Sequence, residues 1–226
     1  METYAKCCMP FDLPKNFTVV GSTQCGKTFF IQQLLLQYKQ MFIPAPSKII
    51  YCYTSWQDKY DVLDKELGEI IQFRSDIPTC EELTAVWQET HRETLLVLDD
   101  KMSSLNDSAM GNAVVDIVCV LCHHCHVLCI ITLQNLFHAS KAVREISLNS
   151  QYICLFRNNR SARQVNTLGS QAFPGQVQYF MNNYELATAK NYGYMIIDLS
   201  SNIDSRLRLR SAIFPGEETI AYLPKK

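Results

Sequence analysis

The sequence predicts a three-layer α/β fold: a mostly parallel central sheet between helices, with a hairpin at one edge near the C-terminus. Three observations carry this. Extended apolar runs alternate with helix-like stretches along most of the chain, the pattern that builds parallel strands with helical crossovers. One run, TLLVLDD at 94–100, is apolar without alternation until its acids, as in a strand covered on both faces. The loop GSTQCGKT stands between an apolar strand and an apolar-faced helix.

The elements follow in order. NFTVV (16–20), β-branched and aromatic, is a first buried strand running directly into glycine. FFIQQLLLQYKQMF has apolar residues at 30, 31, 34, 35 and 38, one helical face, and IPAP closes it because proline removes donors and favours extended backbone before it. KIIYCY (48–53) is a second strand and IIQFRS (70–75) a short third. TCEELTAVWQETHRE opens with Thr79 and Glu82 three residues apart, a capping box, and predicts a helix. TLLVLDD is the next strand. A helix through Ala113–Cys122 leads to the strand VLCIITLQ (127–134), and QYICLFRN (151–158) is another. YGYMIIDLSS and SRLRLRSAIF, separated only by NID, predict the edge hairpin.

Length and composition set bounds. The 226 residues contain no composition shift that marks a linker, so one domain is expected over 1–226. With 47% hydrophobic and 19% charged residues the chain falls outside the disordered class. A formal net charge of −1 argues against a protein that coats nucleic acid with its whole surface, but leaves room for a local basic stripe. Ten cysteines at irregular spacing, and a start without an apolar leader, predict mostly free thiols in an intracellular, reducing setting rather than secretion. The most apolar stretch, Ala113–Leu133, is interrupted by Asp116, His123, His124 and His126, which predicts two buried elements and no membrane span. Within it CVLCHHCHVLC has CxxC spacing, yet helical and strand packing of its cysteines explains it better than zinc does.

GSTQCGKT matches G-x-x-x-x-G-K-[ST], the phosphate loop of nucleoside triphosphatases, from Gly21 to Thr28. Gly21 and Gly26 let the backbone curl, so that the N–H groups of Ser22, Thr23, Gln24, Cys25 and the residues after them face phosphate oxygens. Lys27 is expected to reach the β- and γ-phosphates and Thr28 to offer a hydroxyl to Mg²⁺, with ATP as the ligand. Hydrolysis needs acids at the end of a nearby strand. Asp99 is assigned to the metal and Asp100 to the attacking water. Gln134, one strand later, is a candidate for holding that water or sensing the γ-phosphate.

GSTQCGKT, LLVLDD and IITLQN in this order, followed by QNLFHASKAVREISLNSQYICLFRNNRSARQ, resemble the FtsK/HerA-type packaging ATPases of double-stranded DNA viruses and polinton-type elements. The resemblance runs from about Phe17 to Phe214. It implies a P-loop NTPase of the ASCE, RecA-like branch. It also implies a ring of five or six subunits that drives double-stranded DNA into a capsid, with a capsid portal or vertex protein as partner, inside the cell, in the host nucleus, at a virus assembly site or in the cytoplasm. Such rings insert an arginine into the neighbouring subunit's site, where a charge arriving on assembly stabilises the transferring phosphoryl group. Arg144 in KAVREISLN is the first candidate and Arg160 in FRNNRSARQ the second; the residue pattern RSAR departs from the family, which often has an acid shortly after the latter position. His124, at the corner before the Gln-bearing strand, is a candidate tie between that strand and the acidic pair.

Other basic groups are candidates for DNA: Arg206, Arg208 and Arg210 at period two on one strand face, and Lys101, Lys141, Arg157 and Arg163. Tyr51 and Tyr53 read as half-buried sheet packing rather than base stacking. Alternative readings are another FtsK/HerA-like translocase or helicase, a small nucleotide kinase, and a nucleotide-gated interaction protein without turnover. A GTPase lacks support, since neither N-K-x-D nor D-x-x-G after the acidic strand is present.

Overall fold

A computed structural model describes residues 9–137 and 140–223. The strands are β1 (Phe11–Asp12), β2 (Asn16–Val20), β3 (Phe42–Ile43), β4 (Lys48–Cys52), β5 (Ile71–Arg74), β6 (Thr94–Leu98), β7 (Val127–Leu133), β8 (Ser150–Phe156), β9 (Tyr194–Asp198), β10 (Leu209–Ser211) and β11 (Ile220–Ala221). The helices are α1 (Lys27–Leu36), α2 (Tyr38–Met41), α3 (Lys59–Leu67), α4 (Cys80–Thr90), α5 (Met102–Asn106), α6 (Ser108–Asp116), α7 (Cys122–His124), α8 (Lys141–Leu148), α9 (Ala162–Ala172) and α10 (Val177–Ala187).

Nine strands form one sheet in the order β11-β10-β9-β8-β2-β7-β6-β4-β5. From β8 to β5 every pair is parallel. Successive residues of each strand enter opposite cores, as the two-residue side-chain period requires. In β6, Leu95 and Val97 join the layer of α1 and α3, whereas Leu96 and Leu98 join that of α4, α6, α8, α9 and α10. Burial on both faces is the reason TLLVL reads as an unbroken apolar run.

Helix α1 buries Phe30, Ile31, Leu34 and Leu35 as the spacing predicts, then breaks at Gln37, and the short β3 pairs with β1 in a separate two-stranded sheet. The capping box of α4 is formed: Thr79 Oγ1 accepts from Glu82 N and the Glu82 carboxylate accepts from Thr79 N. The apolar stretch 113–133 is helical as far as His124, with a π-type turn at Ile117–Leu121, and then becomes β7. Among the described residues no helix is long and apolar enough to cross a membrane. Among the same residues the cysteines are all free, and no three His, Cys, Asp or Glu side chains are grouped to hold a metal ion.

The C-terminal hairpin is present as antiparallel β9 and β10, with β11 added outside them. Its connection is longer than NID, because a 3₁₀ turn at Ser205–Leu207 precedes β10. That turn dissolves the expected stripe of three arginines. Arg206 binds Asp204 in the turn, Arg208 lies over the Phe173 ring at 4.3 Å and donates to Ala172 O, and Arg210 is buried with Asp198 at 2.9 Å. Three arginines at period two share a face only in an extended backbone. Lys101 is likewise buried, its Nζ donating to Ser75 O at 2.5 Å, so it is no surface contact for DNA.

Candidate nucleotide site

Parallel sheets bind ligands beyond the carboxyl ends of their strands. Here β2, β7 and β6 lie side by side, so the segments that follow Val20, Leu133 and Leu98 open on the same edge. A cavity of 590 Å³ lies there, and Lys27, Thr28, Asp99, Asp100, Thr132 and Gln134 line it.

The loop is held at both ends. Gly21 N donates to Leu133 O at 3.1 Å, and Gly26, at φ 109°, is the left-handed residue from which α1 starts. A Cβ on Gly21 would meet Cys25 Sγ and lie 2.7 Å from Phe156 Cβ; one on Gly26 would lie 2.9 Å from Tyr192 Cδ1. Close approach therefore favours glycine at Gly21, and both backbone angle and close approach favour it at Gly26. Because glycine is the N-cap, no side chain caps α1, and its first-turn amides keep their capacity to bind an anion. Lys27 Nζ folds across the loop and donates to Gly21 O at 2.7 Å and Ser22 O at 2.9 Å. Thr23 and Gln24 also line the cavity, Gln24 at φ 64°. Cys25 is partly buried, and burial pushes its thiol up against the opposing pull of Lys27.

The two acids are held differently. Asp99 is only 3% exposed, and the phenols of Tyr51 and Tyr60 both donate to its Oδ2, at 2.7 and 3.3 Å. Oδ1 accepts no hydrogen bond among the described residues. Burial, with the Asp99 charge second, raises the Tyr51 and Tyr60 hydroxyls far above the usual phenol range, so both remain donors. Asp100 is exposed, and its backbone stands at φ 55°. Thr132 Oγ1 accepts from Asp100 N at 2.8 Å and Thr54 Oγ1 donates to Asp100 O at 2.7 Å, which ties the turn to β7.

Gln134 is exposed at the cavity, and its carbonyl accepts from Asn158 Nδ2 at 3.2 Å. The other end of that amide, Asn158 Oδ1, accepts from Arg160 N at 3.2 Å. One buried asparagine thus links the backbone of the candidate sensor to that of one candidate arginine. Arg160 and Arg144, the latter on α8, are exposed and lie outside the lining of this cavity. His124 is exposed at the end of α7, before β7, whereas Asp99 and Asp100 follow the carboxyl end of the parallel β6, so it stands at the wrong end of the sheet to tie that strand to the acidic pair.

Several contributors escaped sequence reasoning. Tyr51 is fully buried rather than half-buried, packed against Tyr60 and Phe73, with its hydroxyl satisfied by Asp99. Thr132 offered no signal beyond its place two residues before Gln134. Gln57 and Tyr192 line the cavity from connections, and Lys59 from the first residue of α3, none of them within a motif.

No protein-family model matches the chain, and no curated protein matches it in sequence. Solved structures do. The genome packaging NTPase B204 from Sulfolobus turreted icosahedral virus 2, in complex with ATP-gammaS, superposes with a TM-score of 0.57 at 13% identity, covering 94% of this chain and 98% of that one. B204, the DNA-packaging ATPase from Sulfolobus turreted icosahedral virus, gives 0.57 at 12% identity with the same coverage. The virus 2 protein in complex with sulfate gives 0.55 at 13%, covering 94% and 97%. This chain shares the fold of those packaging NTPases over 94% of its length.

Proposed function

We propose that this chain is an ATP-hydrolysing motor subunit of the FtsK/HerA type that moves double-stranded DNA, with a viral genome as its cargo and a capsid as its destination. The observation that carries the reading is the convergence of Lys27, Thr28, Asp99, Asp100 and Gln134 on one cavity at the carboxyl edge of the sheet. The likeness in fold to packaging NTPases, over 94% of the chain, supports the same choice.

In this reading the first-turn amides of α1 and the loop N–H groups bind the phosphates. Lys27 moves from the carbonyls of Gly21 and Ser22 to the β- and γ-phosphate oxygens. Thr28, whose hydroxyl makes no hydrogen bond among the described residues, and Asp99 through Oδ1 are oxygen donors that would hold Mg²⁺. When bound, Mg²⁺ neutralises charge on the β- and γ-phosphates. Asp100 polarises the attacking water and Gln134 orients it. Arg144 or Arg160 of a neighbouring subunit completes the site in a ring of five or six.

The test is hydrolysis with and without double-stranded DNA, in the full chain and in Asp100→Asn. Turnover should rise with DNA and fall about a hundredfold or more in the variant, the usual size of a lost general base. Hydrolysis indifferent to both would sink the motor.

A further inference from the structure

Side chains alternate faces along a strand, so a continued β6 would send Asp100 after Leu96 and Leu98 into the layer of α4, α6 and α8, away from Asp99. Yet both acids line the same cavity. The backbone resolves the conflict at one bond. Asp100 stands at φ 55°, in the left-handed region that non-glycine residues rarely enter and that recurs at active sites. Rotation about its N–Cα bond sets where its Cβ points relative to the strand, and here it returns the side chain to the cavity that Asp99 and Lys27 line.

A residue keeps such an angle only where its surroundings hold it. Beyond Leu98 the backbone pairing with β7 has ended, and hydroxyls from the two strands flanking β6 take over. Thr132, 2% exposed near the end of β7, accepts through Oγ1 from Asp100 N at 2.8 Å and donates to Leu98 O at 3.5 Å, so one hydroxyl spans the residues on either side of Asp99. Thr54, just beyond β4, donates through Oγ1 to Asp100 O at 2.7 Å. The backbone donor and the backbone acceptor of Asp100 are thus both held by side chains.

We propose that Thr132 and Thr54 are positioning residues for hydrolysis: together they hold Asp100 in the left-handed turn that presents its carboxylate to the attacking water. The inference rests on the role given to Asp100 above and deepens it. Thr132 also lines the cavity, but its one hydroxyl proton is committed to Leu98 O, so it acts through Asp100. The phosphates are held elsewhere, by the loop and Lys27. Loss of the clamp therefore shows in kcat and leaves KM alone.

Hydrolysis of ATP by the full chain with Mg²⁺ and double-stranded DNA, in steady state and in single turnover, tests this. Thr132→Val keeps the branched shape and removes the hydroxyl; it should lower kcat about tenfold or more with KM within about twofold, and Thr132→Ser should restore the rate. Thr54→Val, at an exposed position, should give the same split, and it carries the test if Thr132→Val does not fold. In an Asp100→Asn background Thr132→Val should cost nothing further, because the clamp has no carboxylate left to aim. Asp100→Gly should also resist urea better than Asp100→Ala, the reverse of the usual order, since only glycine enters the left-handed region freely. The proposal is overturned if either folded valine variant keeps its kcat or loses it only together with ATP affinity, if Thr132→Val slows Asp100→Asn as much as it slows the parent, or if Asp100→Ala is the more stable. Parental turnover in Asp100→Asn would instead refute the role of Asp100 itself.

Discussion

Asp99 illustrates how much of a site one buried side chain can depend on. Its carboxylate is out of water and takes two phenol hydrogen bonds on one oxygen, which orients the other. Tyr51→Phe removes the shorter bond. A hydrogen bond to a charged group is worth about 1.5–3 kcal/mol, and Tyr60 remains, so the unfolding free energy measured in urea should fall by about 1.5 kcal/mol. The Mg²⁺ concentration for half-maximal turnover should rise as well, which lost packing alone would not cause. Thiols give a second expectation at this scale. Burial raises Cys52 to about 12 and Cys122 to about 11, from 9.0 in an unfolded chain. Above pH 9 the unfolded chain releases protons that the folded one keeps, so stability is full below pH 9 and declines through the window up to those values. Iodoacetamide at pH 8 should leave both unlabelled in the folded protein and label them in urea.

At the scale of elements, local chemistry decides some and the sheet decides others. Helix α4 belongs to the first kind: Thr79 and Glu82 satisfy its first amides reciprocally, and Thr79→Ala should cost about 1 kcal/mol in denaturant unfolding, with nucleotide binding unchanged. Such patterns are legible in sequence because their partners are three or four residues apart. β2, β4, β6, β7 and β8 were legible for a related reason, since burial on both faces forces continuous apolar runs. SRLRLR shows where that ends. Its alternation reads as a strand, yet Asp204 caps a 3₁₀ turn at Ser205 and Arg210 alone of the three arginines enters β10, to meet Asp198 on β9. Period two cannot reveal a partner that arrives from another strand.

For the whole molecule, the expected consequence is cooperative turnover between copies. Arg144 and Arg160 stand outside their own chain's cavity, and in the ring proposed above one of them would enter the neighbour's. Arg144→Ala mixed into wild-type protein should lower the rate more than in proportion to its share, while nucleotide affinity of the isolated variant stays within about twofold. A strictly proportional decline, for this variant and for Arg160→Ala, would remove the arginine from the mechanism. If the proposed roles hold, the Asn158 bridge would couple the backbone of the water-orienting Gln134 to that of the intersubunit candidate Arg160.

The sequence by itself determined the strand-loop-helix around Gly21–Thr28, the acids after β6 and Gln134 after β7, because each is local: a turn that needs glycine, a buried run that must end, a charge that can stand only where the run ends. Tertiary structure alone decided the order β2-β7-β6 that gathers them. It alone joined Tyr51 and Tyr60 to Asp99, buried Lys101 and Arg210, and set Tyr192 against Gly26 across 166 residues of chain. Contacts of that span are fixed by how the whole sheet packs, and no short stretch of residues encodes them.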